Sequence, residues 1–189
     1  MSQRYDLSQL LDIMSRVRDP QSGCPWDLEQ SFQTIVPHTL EEAYEVADAI
    51  ETQDWDGLKG ELGDLLFQVV FYAQLGKEQG LFDFADIVDA VSEKLIRRHP
   101  HVFSDADLGD EQAVKVNWEV EKAKERAALD KESVLDDIPL SLPALTRAAK
   151  IQKRCATVGF DWKTLGPVVD KIHEEIEEVM EEALMVDVD

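Results

Sequence analysis

The chain has 189 residues and carries a formal net charge of −21, from 40 acidic side chains against 19 Lys and Arg. That length suffices to bury a real core, in one large domain or two small ones. The strongly negative charge excludes a general nucleic-acid-binding surface, which needs a basic footprint.

No apolar run is long enough to span a membrane, and the start MSQRYDLSQLLDIMSRV is amphipathic without the apolar stretch of a signal peptide. A cytoplasmic location and no membrane partner are therefore expected. Cys24 and Cys155 have neither a zinc-ligand spacing nor a disulfide framework and are expected to be free thiols.

In chain order, apolar periodicity and cap residues predict helices near 6–18, 34–52, 55–79, 83–98, 111–130, 142–157 and 165–186. No alternating strand pattern competes with them, so the fold class is all-α, a helical bundle. The segment 19–30, DPQSGCPWDLEQ, is rich in turn formers, and 131–143 contains Pro139 and Pro143 with a change of composition. These breaks suggest a domain at 1–130, a linker at 131–143 and a further piece at 144–189.

The second and third predicted helices carry the most informative pattern, the acids Glu41, Glu42, Glu45, Glu61 and Asp64. At 100° per residue Leu58, Leu62, Leu65, Leu66, Val69, Val70 and Ala73 form the expected core stripe of the third helix, while Glu61, Asp64 and Gln68 share another narrow stripe. Phe67, Phe71 and Tyr72 border that second stripe, and carboxylates in apolar surroundings need a cation or hydrogen-bond donors. On the second helix, Leu40, Ala43, Tyr44, Ala47 and Ile50 form an apolar side opposite the acids, so this helix by itself reads as an ordinary solvated acidic face. The third helix changes the balance, because the i,i+3 pairs Glu42/Glu45 and Glu61/Asp64 can converge on a metal between facing helices.

Oxygen-only ligation favours Mg²⁺, with Mn²⁺ as a substitute, over zinc. A carboxylate di-iron site would want a His three residues after its Glu, and neither Glu42 nor Glu61 has one. Mg²⁺ keeps water ligands and commonly binds with substrate phosphates, which points to chemistry on a polyphosphate. Cations to meet it occur in EKLIRRHPHVF, where Lys94, Arg97 and Arg98 cluster at a helix end. The same residues also complement a helix dipole, so the cluster alone does not decide. Trp118, with Lys122 one turn later, offers a stacking surface and another cation, although a Trp at helical spacing is more often core.

Taken together, GCPWD, HTLEEAYEVADAI, GELGDLLFQVVFYAQ, EKLIRRHPHVF and NWEVEKAKER resemble the MazG family of nucleoside triphosphate pyrophosphohydrolases over nearly the whole chain. The resemblance implies an all-α homodimer that hydrolyses NTPs and dNTPs, with broad specificity, to nucleoside monophosphate and pyrophosphate. It makes Glu42, Glu45, Glu61 and Asp64 the Mg²⁺ ligands and places His38, Glu41, Lys94, Arg97, Arg98 and Trp118 near the nucleotide, with Lys122 a weaker addition. Glu41 and Glu45 are both candidates for the base that activates water. Trp26 and Asp27 of GCPWD either shape the pocket or cap the next segment. The alternative function is a metal- and nucleotide-sensing or interaction module without turnover.

An internal echo completes the reading: LEExxEV at Leu40–Val46 recurs as HEExxEV at His173–Val179. At the same spacing the counterparts of Glu61 and Asp64 fall beyond Asp189, so 144–189 is expected to be a truncated second repeat. Glu174, Glu175 and Glu178 then read as a solvated acidic helix.

Overall fold

A computed structural model describes residues 4–104, 109–128 and 133–185. All regular elements among them are helical: α1 (Leu7–Val17), α2 (Pro25–Leu28), α3 (Phe32–Glu51), α4 (Trp55–Glu78), α5 (Phe84–Arg98), α6 (Pro100–Phe103), α7 (Glu111–Ala128), α8 (Ala144–Thr157) and α9 (Leu165–Met185). The seven predicted helices are present, and the expected ends at 129–130 and 186 lie outside the described residues. The chain divides into two compact units, Met1–Asp110 and Glu111–Asp189.

In the first unit, local sequence chemistry sets the helix starts. Asp6 caps α1 reciprocally with Gln9, Asp83 caps α5 with Asp86, and Asp54 caps α4 through the Gly57 N–H. Ser31 caps α3 with Thr34, so that helix begins at Phe32, earlier than expected. Pro37 consequently lies inside α3 rather than at its start, where its ring removes one backbone donor.

The turn-rich stretch after α1 folds back tightly, with Gly23 N–H donating to the Asp19 carbonyl and Cys24 N–H to that of Val17. A Cβ at Gly23 would run into the carbonyl oxygens of Val17 and Asp19, which is why glycine opens the GCPWD segment.

The core joins one end of the α3/α4 hairpin to α1. Met14, Ile35, Val70, Phe71 and Leu75 are buried there, with Leu10, Leu11, Phe32, Phe67, Tyr72 and Phe84 packed around them. Phe32 stacks on Tyr72 at 5.9 Å between centroids, and the Tyr72 hydroxyl meets Thr39 Oγ1 at 2.9 Å. These contacts fix α3 and α4 as antiparallel neighbours.

The expected core stripe on α4 holds only toward its C-terminal half. Val70 and Ala73 are buried, whereas Leu62, Leu66 and Val69 are 49%, 41% and 37% exposed. Likewise Leu40, Tyr44 and Ile50 on α3 face outward at about half exposure or more. The reason is the rotation of the pair: α3 turns its acidic side toward α4 and leaves its apolar row uncovered within the unit.

In the second unit, Arg154 of α8 donates to the Val134 carbonyl at 3.2 Å, and Ile138 is buried. Glu119 of α7 accepts from Lys122 at 3.0 Å and lies 3.7 Å from Lys153 of α8. No helix among the described residues is long and apolar enough to cross a membrane.

Candidate functional site

The part of the α3/α4 hairpin away from the core carries the acids. Glu42 and Glu45 stand one turn apart on α3, Glu61 stands on α4, and each offers a carboxylate oxygen within 4.8 Å of those of the other two. Among the described residues this is the group of three or more His, Cys, Asp or Glu side chains arranged to hold a metal ion. Glu42 and Glu61 are half-buried, and Glu45 is exposed.

Burial and charge repulsion act together at Glu42. Burial raises its carboxyl above the ordinary 4.5, and the neighbouring charges of Asp64, Glu45 and Glu61 push in the same direction. Asp64 thus stands in electrostatic reach of the group from the next turn of α4, although it is exposed and outside the three converging residues. A cluster of hard oxygen donors from two helices, with no His or Cys among its members, fits Mg²⁺ or Mn²⁺ and does not fit zinc.

Next to this group on α3, His38 Nδ1 lies 3.7 Å from Glu41 Oε2, and Glu41 is not among the converging carboxylates. The Trp26 ring meets His38 edge-on at 6.0 Å and is 55% exposed. Trp26 therefore borders the candidate site, a role the sequence left open beside capping. The tight turn at Gly23 and Pro25 at the first position of α2 bring it there. Asp27 takes a different part, its carbonyl accepting from Arg18 Nη1.

Arg97 and Arg98 occupy the last turn of α5 and Lys94 the turn before it, with Lys94 and Arg97 exposed and Arg98 half-buried. Trp118 and Lys122 stand on α7 in the second unit, where they line a groove with Lys115, Glu119, Lys153 and Val158. On α9, Glu174 and Glu175 are exposed and held by Lys171 Nζ at 2.7 and 3.1 Å. Those two ion pairs raise the lysine's affinity for its proton, as expected for a solvated acidic helix with its own counter-charge.

Comparison with known proteins matches residues 30–103 to the MazG nucleotide pyrophosphohydrolase domain, which spans α3 through α6 and so contains the acid cluster and the basic turn of α5. A nucleoside triphosphate pyrophosphohydrolase of Escherichia coli (strain K12) is 63% identical over 183 residues, covering 97% of this chain and 70% of that protein. The chain belongs to the MazG family.

A second MazG relative, the nucleoside triphosphate pyrophosphohydrolase/pyrophosphatase MazG of Thermotoga maritima, is 42% identical over 173 residues, covering 92% of this chain and 66% of that one. The fold agrees with a solved structure, the crystal structure of a MazG-related protein from Thermotoga maritima. It superposes with a TM-score of 0.53 at 26% identity, covering 62% of this chain and 99% of the other.

Proposed function

We propose that the chain hydrolyses nucleoside triphosphates, both NTPs and dNTPs with broad preference, to nucleoside monophosphate and pyrophosphate in a Mg²⁺-dependent reaction. The observation that carries this reading is the convergence of Glu42, Glu45 and Glu61 across two antiparallel helices inside the domain shared with MazG relatives. Glu42, Glu45, Glu61 and Asp64 hold the metal, which neutralises phosphate oxygens when bound and for which Mn²⁺ substitutes.

Water attacks the α-phosphorus, the bond from that phosphorus to the α,β-bridging oxygen breaks, and pyrophosphate leaves. The water's proton passes to a carboxylate, Glu41 or Glu45. Glu41 stands beside His38 and outside the converging group, whereas Glu45 lies within it. Glu41→Gln distinguishes the two: lost turnover with Mg²⁺ binding intact marks Glu41 as the base, and retained turnover leaves Glu45. Lys94, Arg97 and Arg98 neutralise the triphosphate, and His38 borders the pocket with Glu41.

The deciding experiment incubates purified protein and Mg²⁺ with a panel of NTPs and dNTPs and identifies the products. Monophosphate with pyrophosphate is expected. Orthophosphate with diphosphate would place the attack at the terminal phosphorus and overturn the reaction assignment, and nucleotide binding without products would favour a sensing module.

The working form is a homodimer in the cytoplasm with a nucleotide-pool housekeeping role, without nucleic-acid partners. The support for self-association is the outward apolar row of Leu62, Leu66 and Val69 on α4 and that of Leu40 and Tyr44 on α3, residue types that water disfavours in such number. Light scattering on the wild type and on Leu66→Asp checks this. A monomeric wild type would remove the dimer.

A further inference from the structure

Gln68 is 5% exposed, and its side-chain oxygen Oε1 is buried without a hydrogen-bond partner. A buried amide oxygen left unpaired is costly, and native folds rarely keep one without a reason.

Its position supplies the reason. Gln68 lies on the same stripe of α4 as Glu61 and Asp64, and helical side chains lean over the turn on their N-terminal side, so Gln68 leans toward those two acids. The antiparallel register agrees. Thr39 and Tyr72 meet across the hairpin, and Glu42 lies one turn beyond Thr39 on α3 as Gln68 lies one turn before Tyr72 on α4, so both stand on the acid side of that contact.

The two hydroxyls at that contact are committed. The Tyr72 and Thr39 hydroxyls are bonded to each other at 2.9 Å, and Thr39 Oγ1 donates onward to the Ile35 carbonyl at 3.2 Å. Ionised Glu42, Glu61 and Asp64 are acceptors only. An amide oxygen leaning toward carboxylates is repelled unless something rich in protons stands between them, and a hydrated divalent cation is such a species, since Mg²⁺ retains several of its waters when protein carboxylates bind it.

We propose that Gln68 is a positioning residue of the metal centre, its Oε1 accepting a hydrogen bond from a water in the hydration shell of the ion held by Glu42, Glu45 and Glu61. The inference rests on the metal reading above and adds to it a residue that orients the ion's water.

The test uses Mn²⁺ as the probe and calorimetric titration of the full chain, together with melting of the metal-free protein. Gln68→Met keeps the volume and removes the orphaned oxygen. Its metal-free melting temperature is expected to stay level or rise, while Mn²⁺ binding weakens by about tenfold, the lower end of what losing such an outer partner costs. Gln68→Glu keeps an acceptor oxygen and is expected to restore binding to wild-type strength or better. Unchanged Mn²⁺ affinity in folded Gln68→Met would overturn the proposal. So would a loss of metal-free stability in both variants, which marks a packing role. A wild type that binds no Mn²⁺ would instead sink the metal reading itself, and this inference with it.

Discussion

Arg18 grips Glu78 across the first unit with two nitrogens, Nε to Oε1 at 2.9 Å and Nη2 to Oε2 at 2.6 Å. The same guanidinium donates to the Asp27 carbonyl and stands 5.2 Å over the Phe71 ring. One side chain thus ties the end of α1 and the segment that delivers Trp26 to the C-terminal turn of α4. Arg18 is 7% exposed, so its charge depends on these partners.

Arg18→Met should therefore destabilise the fold by about 3 kcal/mol, the lower end for breaking a buried pair because Glu78 remains partly hydrated. The bond to Arg18 holds the Glu78 carboxyl below the ordinary 4.5. A depressed native value means the pair's contribution is fully present above 4.5 and is lost as the pH falls through that native value. Denaturant titrations of wild type and variant should converge under acid and separate near neutrality. A constant difference across that range would separate the pair from acid stability.

Glu42→Gln should have opposite effects with and without metal. The native carboxyl titrates above its ordinary value, so its charge burdens the metal-free fold near neutrality, and protonation relieves that burden as the pH falls. Metal-free wild type should therefore gain stability relative to the variant as the pH falls through that raised native value toward the ordinary 4.5. At neutral pH the variant should melt level with wild type or higher, yet lose the gain that Mg²⁺ confers on wild type. Melting curves with and without Mg²⁺ check both signs.

Glu61→Gln and Asp64→Asn, each nearly constant in volume, should abolish hydrolysis while circular dichroism shows the helices intact. Turnover at the wild-type rate in either folded variant, at saturating Mg²⁺, would remove that residue from the site.

Arg97→Ala, Arg98→Ala and Lys94→Ala should each lower kcat/KM for triphosphates while leaving Mg²⁺ binding unchanged. Loss of one charge-assisted contact costs about 1.5–3 kcal/mol, or roughly tenfold to a hundredfold. Normal kinetics in all three would reduce the cluster to a complement of the α5 dipole.

Replacing Glu174, Glu175 and Glu178 together by Gln should leave hydrolysis nearly unchanged, because Lys171 already holds the first two of these acids. The same treatment of Glu41, Glu42 and Glu45 should eliminate it, since Mg²⁺ is not enclosed once α3 contributes no charge to face Glu61. Loss of activity in the α9 variant, still folded, would bring the second unit into the site.

Helix periodicity and cap chemistry were legible in the chain itself. Asp6, Asp83 and the acids of α3 and α4 act within a turn or two of their own backbone, where sequence spacing is spatial spacing. Family motifs carried the assignment to MazG for the same reason, being local strings in a preserved order. What periodicity cannot contain is the rotation of one helix against its neighbour: it orders residues around an axis without saying which side is met. On α3 the apolar row of Leu40, Tyr44 and Ile50 looked like the inward side and the acids like the solvated one. The tertiary structure reverses this, setting Glu42 against Glu61 and leaving Leu40 and Tyr44 outside. The same packing decided that Gln68 is buried and that Trp26 borders His38, arrangements that only a folded hairpin and a tight turn bring about.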